Sequence, residues 1–271
     1  KKFRLLCSMD APEEAKVEEE EEDAEATPRA PQPKLRLHHF EHHTFGAAGE
    51  PIRLALSIGG LEFEDHRVER TGDEWPDVKN SGLCPFKQMP VLETDDETIC
   101  QSNSILRYVG LLTGLYPADD IMRASKVDEV LGAIQDIKIR IVPSLMEKRP
   151  SQKMHMRQAL VLEKLPWWLT RLEASIRSND ALFSAERGFC VGDTLTIADL
   201  ALVCFLGWFE AGVFMGIQDS ILEEYPRLLR VLEVVDSVPK VFRWRKAHPT
   251  KYLEESKWIP AVQGLQRVTS S

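Results

Sequence analysis

Between Leu35 and Phe40 the chain reads LRLHHF, with apolar and polar residues alternating as in a half-buried strand. After a loop of small residues the period lengthens. Ile52, Leu54, Ala55, Leu56 and Ile58 give the buried side of a helix that Glu50-Pro51 opens and Gly59-Gly60 stops. FEDHRV (63–68) and MPVLET (89–94) predict two more strands, with TIC (98–100) a short fourth after a DDE turn. The stretch around Trp75-Pro76 is expected to be loop. Ser102 is placed as the cap of a helix, SNSILRYVGLLT, ended by Gly114. The predicted order is β-α-β-loop-β-β-α.

Beyond LYPADD (115–120) the pattern turns helical, with helices predicted near 121–147, 152–178, 197–214, 220–235 and 239–247. Thr196-Ile197-Ala198-Asp199 has the form of a capping box, with hydroxyl to a later N–H and carboxylate to an earlier one. It opens the most apolar of these helices and reads as a folding element. The domains expected are an α/β unit over 34–114, a linker over 115–120 and an all-helical unit over 121–252. The tail, 253–271, has a short apolar patch that either folds back over the helices or frays.

Composition narrows the function. The net charge of −9 disfavours nucleic acid, because phosphate contacts need clustered Lys and Arg. Much of the deficit lies in residues 1–33, an acidic, proline-bounded tail with too little apolar surface to order, read as disordered and solvated. No run of apolar residues is long enough to span a membrane; 200–217 comes nearest, but it holds Glu210 and three glycines and reads as a core helix. The five cysteines are scattered, without CxxC, which argues against a disulfide framework or a zinc site and fits a reducing, cytoplasmic setting. The chain begins with Lys, so an upstream segment is expected: a tag, a propeptide or an organellar targeting peptide.

Three stretches can carry chemistry. In KQMPVLE (87–93) a proline directly precedes a strand. A cis Met89-Pro90 bond there would turn the chain sharply and leave the Met89 backbone facing out, ready to pair with an extended peptide-like ligand; a mere strand-start proline is the plain alternative. In ICQSNSILRYV (99–109), Gln101 and Ser102 stand where a strand hands over to a helix. Its free N–H groups and the Ser102 hydroxyl suit a carboxylate, with the Gln101 amide alongside; an ordinary N-cap would need Ser102 alone. Third, His38, His39, His42 and His43 crowd the end of the first strand. They make a poor metal site: His38 and His39 point to opposite faces, and no cysteine or paired carboxylate completes a ligand set nearby.

The first two stretches, with DEWPDVK (73–79) and GDTLTIADL (192–200), resemble the cytosolic glutathione transferases, most closely the sigma class, over roughly residues 35–250. The resemblance implies a thioredoxin-like N-terminal domain followed by an all-helical domain, and a homodimer using glutathione as co-substrate, with no metal. It places Met89 against the cysteinyl backbone, with cis Pro90 shaping the turn, and Gln101 and Ser102 on the γ-glutamyl carboxylate. Trp75, Lys79 and Gln88 would line the glycyl end, and Asp136 would reach across the dimer interface to the γ-glutamyl amine. Without the resemblance, Trp75 reads as packing under a loop, and Lys79 and Asp136 as solvated charges.

Sigma-like members activate the thiol with a tyrosine at the end of the first strand, whose hydroxyl donates to the sulfur and favours thiolate. Aligned through Leu37 and Phe40, that position here is His39, and no tyrosine precedes Tyr108. The following loop is about three residues longer than in those relatives. Three readings stand: His39 serves the sulfur through its ring N–H; the longer loop brings Thr44, His42 or His43 to it; or the thiol is not activated. The functions to weigh are a transferase joining glutathione to a small apolar electrophile held against helices at 121–147 and Trp208 or Phe209, a non-catalytic glutathione binder or scaffold, and a glutathione-dependent isomerase.

Overall fold

The computed structural model describes residues 33–40, 48–70, 72–210, 217 and 219–248. The acidic tail, His42, His43, Thr44 and the C-terminal patch lie outside them. Within the described residues the first strand, β1 (Arg36–Phe40), leads through helix α1 (Glu50–Gly59) to β2 (Glu64–Val68). β1 and β2 pair in parallel, as a strand–helix–strand crossover requires. Then come helix α2 (Glu74–Asn80), β3 (Val91–Glu93), β4 (Thr98–Cys100) and helix α3 (Ser102–Thr113). The sheet order is β2-β1-β3-β4, with β3 antiparallel to both its neighbours.

Two boundaries differ from expectation. The Trp75-Pro76 segment is the helix α2 rather than a loop. It buries no residue, so there was no apolar stripe for periodicity to detect. Ser102 is the first residue inside α3; Gln101 holds the cap position, with no side-chain capping bond. The α1 boundaries hold as read. Gly60 caps it with a left-handed φ of 67°, its N–H given to the carbonyls of Leu56 and Ser57.

Six further helices follow: α4 (Ile121–Met146), α5 (Pro150–Ala159), α6 (Leu165–Phe183), α7 (Ile197–Glu210), α8 (Pro226–Asp236) and α9 (Pro239–Ala247). The single helix expected over 152–178 is two, joined by a π-helical turn at Leu160–Lys164. Pro166 follows this turn and has no N–H to give a carbonyl one turn back. The last part of the expected 197–214 helix falls among residues not described, and a 3-10 turn (Asp219–Glu224) precedes α8.

Helix α7 runs through the middle of the core, with every residue from Ile197 to Leu206 buried, the acid Asp199 among them. Its capping box forms, with one change. Asp199 Oδ2 accepts from the Thr196 N–H at 2.7 Å and from the Thr196 hydroxyl at 2.8 Å, so the hydroxyl donates to the carboxylate itself. Helix α1 is sandwiched between the sheet domain and the helices. Arg53 on α1, 1% exposed, donates to Asp65 of β2 at 2.9 Å, while Trp244 of α9 donates to Glu50 at 2.8 Å. These contacts seat the helical layer on the layer that carries β3, β4 and the start of α3.

Candidate functional site

Antiparallel pairing explains why two stretches far apart in sequence form one site. β4 ends at Cys100 opposite Val91, the first residue of β3. Met89-Pro90 therefore emerges from the sheet beside Gln101-Ser102. The Met89-Pro90 bond is cis, Pro90 is buried, and Met89 is half-buried on the rim beyond the ladder. Gln101 makes the turn into α3 with φ 73° and ψ 122°, a left-handed conformation that costs a non-glycine residue about 1–3 kcal/mol. The turn aims the first N–H groups of α3 outward. The first intrahelical bond is from Ile105 N–H to the Gln101 carbonyl at 3.0 Å, which leaves the N–H groups of Ser102, Asn103 and Ser104 without helical acceptors. No acid occupies that first turn, so its positive end is open to an anion.

A cleft of about 400 Å³ opens over these groups. One wall is Gln88, Met89, Pro90, Gln101 and Ser102, five of the residues chosen from sequence. The facing wall comes from α4 and α7: Gln135, Lys138, Ile139, Val142, Pro143 and Trp208. A polar strip suited to a peptide thus faces a largely apolar strip suited to a second ligand. Trp208 lines the cleft as expected. Phe209 does not; it is 2% exposed and packs on Phe205 with ring centroids 5.6 Å apart.

The remaining sequence candidates are placed elsewhere. Trp75 on α2 is half-buried against Phe40, with ring centroids 4.9 Å apart, and the Lys79 ammonium lies 5.9 Å from the Trp75 ring. Neither is in the wall of the cleft. Asp136 is exposed on α4, with Arg140 Nη1 at 3.6 Å one turn on.

His39 is 6% exposed and sits beneath the start of α1. Its ring lies so close to Gly49 that a Cβ there would come within 2.8 Å of it. The next residue towards β1, Ala48, lines the cleft, and His39 does not. His38 points to the other face. It contacts Glu93 through Nε2 and His66 through Nδ1, the latter at 2.7 Å, and burial lowers its pKa. His38 and His39 are thus used in packing and hydrogen bonding. Among the described residues there is no group of three or more His, Cys, Asp or Glu able to hold a metal ion.

Electrostatically, the cleft contains no aspartate or glutamate among its lining residues and one cation, Lys138. Burial pushes the Lys138 pKa down to about 8, and its ammonium lies 5.3 Å from the centre of the Trp208 ring. The Cys100 thiol is pushed up by burial and stays protonated. Sequence reasoning passed over Lys138, Gln135, Ile139, Val142 and Pro143, although it placed the second ligand against this helix. The signal was there: Lys138 continues the stripe of Leu131, Ile134 and Ile141, all buried, as a charged residue where an apolar one would pack.

Comparison with known proteins agrees with this architecture. Residues 41–110 match the family "Glutathione S-transferase, N-terminal domain" and residues 135–248 match "Glutathione S-transferase, C-terminal domain". The chain is 34% identical over 211 residues to Glutathione S-transferase 2 of Manduca sexta, covering 77% of this chain and 96% of that protein. It is 26% identical over 217 residues to the hematopoietic prostaglandin D synthase of Homo sapiens, covering 80% and 98%. The solved structure of prostaglandin synthase D of Nilaparvata lugens superposes with a TM-score of 0.68 at 26% identity, covering 81% of this chain and all of that one. With a thioredoxin-like domain joined to a helical domain, a cis-proline turn beside a helix tip and both halves matched in sequence, the chain belongs to the glutathione S-transferase family of enzymes.

Proposed function

We propose that this protein conjugates the thiolate of glutathione to small apolar electrophiles. The observation that carries this reading is the two-walled cleft. The tripeptide lies along Met89-Pro90 with its γ-glutamyl carboxylate on Gln101, Ser102 and the α3 tip, and the electrophile lies against Ile139, Val142 and Trp208. The carboxylate and backbone contacts fix the peptide, so the sulfur is delivered towards the end of β1 and the electrophile meets it at short range. The sulfur's hydrogen-bond donor is His39 from β1 or Thr44 from the loop that follows. The thiolate forms the new bond to the electrophilic carbon, and the leaving group departs with its electron pair. The chain acts as a sigma-like homodimer in a cytoplasmic setting, with Asp136 of one subunit completing the glutathione site of the other.

A second reading has one observation in its favour. His39 packs against Gly49 and is not in the wall of the cleft, an arrangement suited to binding glutathione without activating it. An isomerase acting through the same cleft accords with the named activity of the prostaglandin synthase relatives. Retention on immobilised glutathione, followed by turnover of a chlorodinitrobenzene, separates these readings. Retention with turnover supports the transferase, retention without turnover the binder, and no retention removes the ground for both.

A further inference from the structure

Lys138 is the one cation among the residues that line the cleft. It lies on the inward side of α4, half-buried, next to Ile134 and Ile141 of the core stripe. Among the described side chains no ion pair joins it to a carboxylate. The nearest acid in sequence, Asp136, is turned to solvent and Arg140. Its ammonium lies over the face of Trp208, 5.3 Å from the ring centre. A half-buried ammonium resting on an aromatic face has lost part of its hydration, a loss that an arriving anion offsets.

Its position says where that anion would be. A small cavity of about 20 Å³ shares Lys138, Ser102, Gln135 and Ala48 with the main cleft, so Lys138 stands at the junction of the two. From there it faces the space between the α3 tip and the apolar strip of Ile139, Val142 and Trp208. In the reading proposed above, the γ-glutamyl carboxylate already occupies the N–H groups of α3. The second wall then offers a greasy surface with one positive point, a surface that fits an amphipathic acid.

We infer that Lys138 makes the co-substrate end of the cleft a subsite for apolar electrophiles that carry a carboxylate, such as aromatic or long-chain acids bearing a reactive carbon. The inference rests on the transferase reading and deepens it. The ammonium pairs with the carboxylate, Trp208 and Val142 hold the apolar body, and the reactive carbon points back towards the sulfur. For an aryl chloride of this class the thiolate forms the C–S bond, the C–Cl bond breaks, and chloride leaves with the electron pair. The thiol proton is released to solvent. Binding of the acid favours the charged form of Lys138, against the burial that lowers its pKa to about 8.

The test uses two matched probes, a chlorodinitrobenzene with a para-carboxylate and the same ring with a para-carboxamide, each corrected for its uncatalysed rate with glutathione. Equilibrium dialysis of both probes against the protein loaded with S-methylglutathione, whose blocked sulfur cannot be conjugated, gives a binding readout that does not depend on turnover. The wild-type protein is expected to favour the acid by about tenfold in kcat/KM and in affinity, the effect of one charge-assisted contact. Lys138→Met should abolish that ratio and Lys138→Arg should keep it. An acid-to-amide ratio of one in the wild type, with the amide turned over, overturns this inference and leaves the transferase reading intact. A ratio unchanged by Lys138→Met also overturns it. Preferential binding of the acid with no turnover of either probe upholds the subsite and overturns the transferase.

Discussion

His38 and His66 face each other across the β1–β2 ladder with their Nδ1 atoms 2.7 Å apart, and each ring's Nε2 meets a carboxylate, Glu93 for His38 and Glu74 for His66. Burial lowers the pKa of His38, opposed by Glu93 and assisted by His66 and Arg36. A lowered folded pKa means that the unfolded chain binds more protons in the window below the ordinary imidazole value. Stability is therefore present above that value and is lost as pH falls through it. Chemical denaturation followed from about pH 7 down to about 5 should show this slope, and His38→Leu should be less stable at neutral pH but flatter across the window.

Asp199 gives a second expectation. Its carboxylate, fully buried, accepts from the N–H of Cys190 at 2.6 Å and from the N–H and hydroxyl of Thr196. Asp199→Ala would leave three buried donors without an acceptor, so denaturant midpoints should report a loss of about 3–5 kcal/mol. Asp199→Asn, which keeps an acceptor oxygen, should lose about half of that. Equal, small losses in both would mean that the capping box contributes little to the placement of α7.

Lys138 carries a stability cost that its proposed role explains. Its folded pKa of about 8 lies below the ordinary value of 10.5, so the unfolded chain binds more protons between the two and stability should rise with pH across that interval. The thiol facing it, Cys204 of α7, is pushed up by burial and is neutral at the lower end of that interval. Lys138→Met should raise stability at neutral pH by about 1–2 kcal/mol and remove the alkaline rise. A lower melting temperature in this variant would show that the ammonium has a partner that offsets its burial.

Much of this site was legible before the fold was known, and the reason is local. A proline directly before a strand, or a glutamine and serine between a strand and a helix, states its geometry within a few residues, and antiparallel pairing of β3 with β4 then joined them. What was missed needed the third dimension. Helix α2 buries none of its residues, so no period betrayed it. The π-helical turn before Pro166 leaves the apolar spacing on either side intact. Lys138 breaks the apolar stripe of α4, but what it faces was not legible until α7 was seen to bring Trp208 over it. The thiol-activating group resists sequence reasoning most, because His39 lies under Gly49 while Thr44 is outside the described residues.

That question has its own experiment. If His39 supplies the sulfur's donor, His39→Phe should reduce turnover by about a hundredfold while leaving glutathione affinity nearly intact. Turnover equal to wild type would exclude His39 and direct attention to Thr44, whose replacement by Ala would then carry the loss.

Calorimetric titration with reduced glutathione tests the central claim most directly, comparing the wild-type chain with the Gln101→Ala, Ser102→Ala double variant. Loss of the amide and the hydroxyl at the helix tip should weaken binding by about tenfold to a hundredfold, with the fold unchanged by circular dichroism. Affinity equal to wild type in the double variant, or no heat of binding to the wild-type chain, would contradict a glutathione site at the tip of α3.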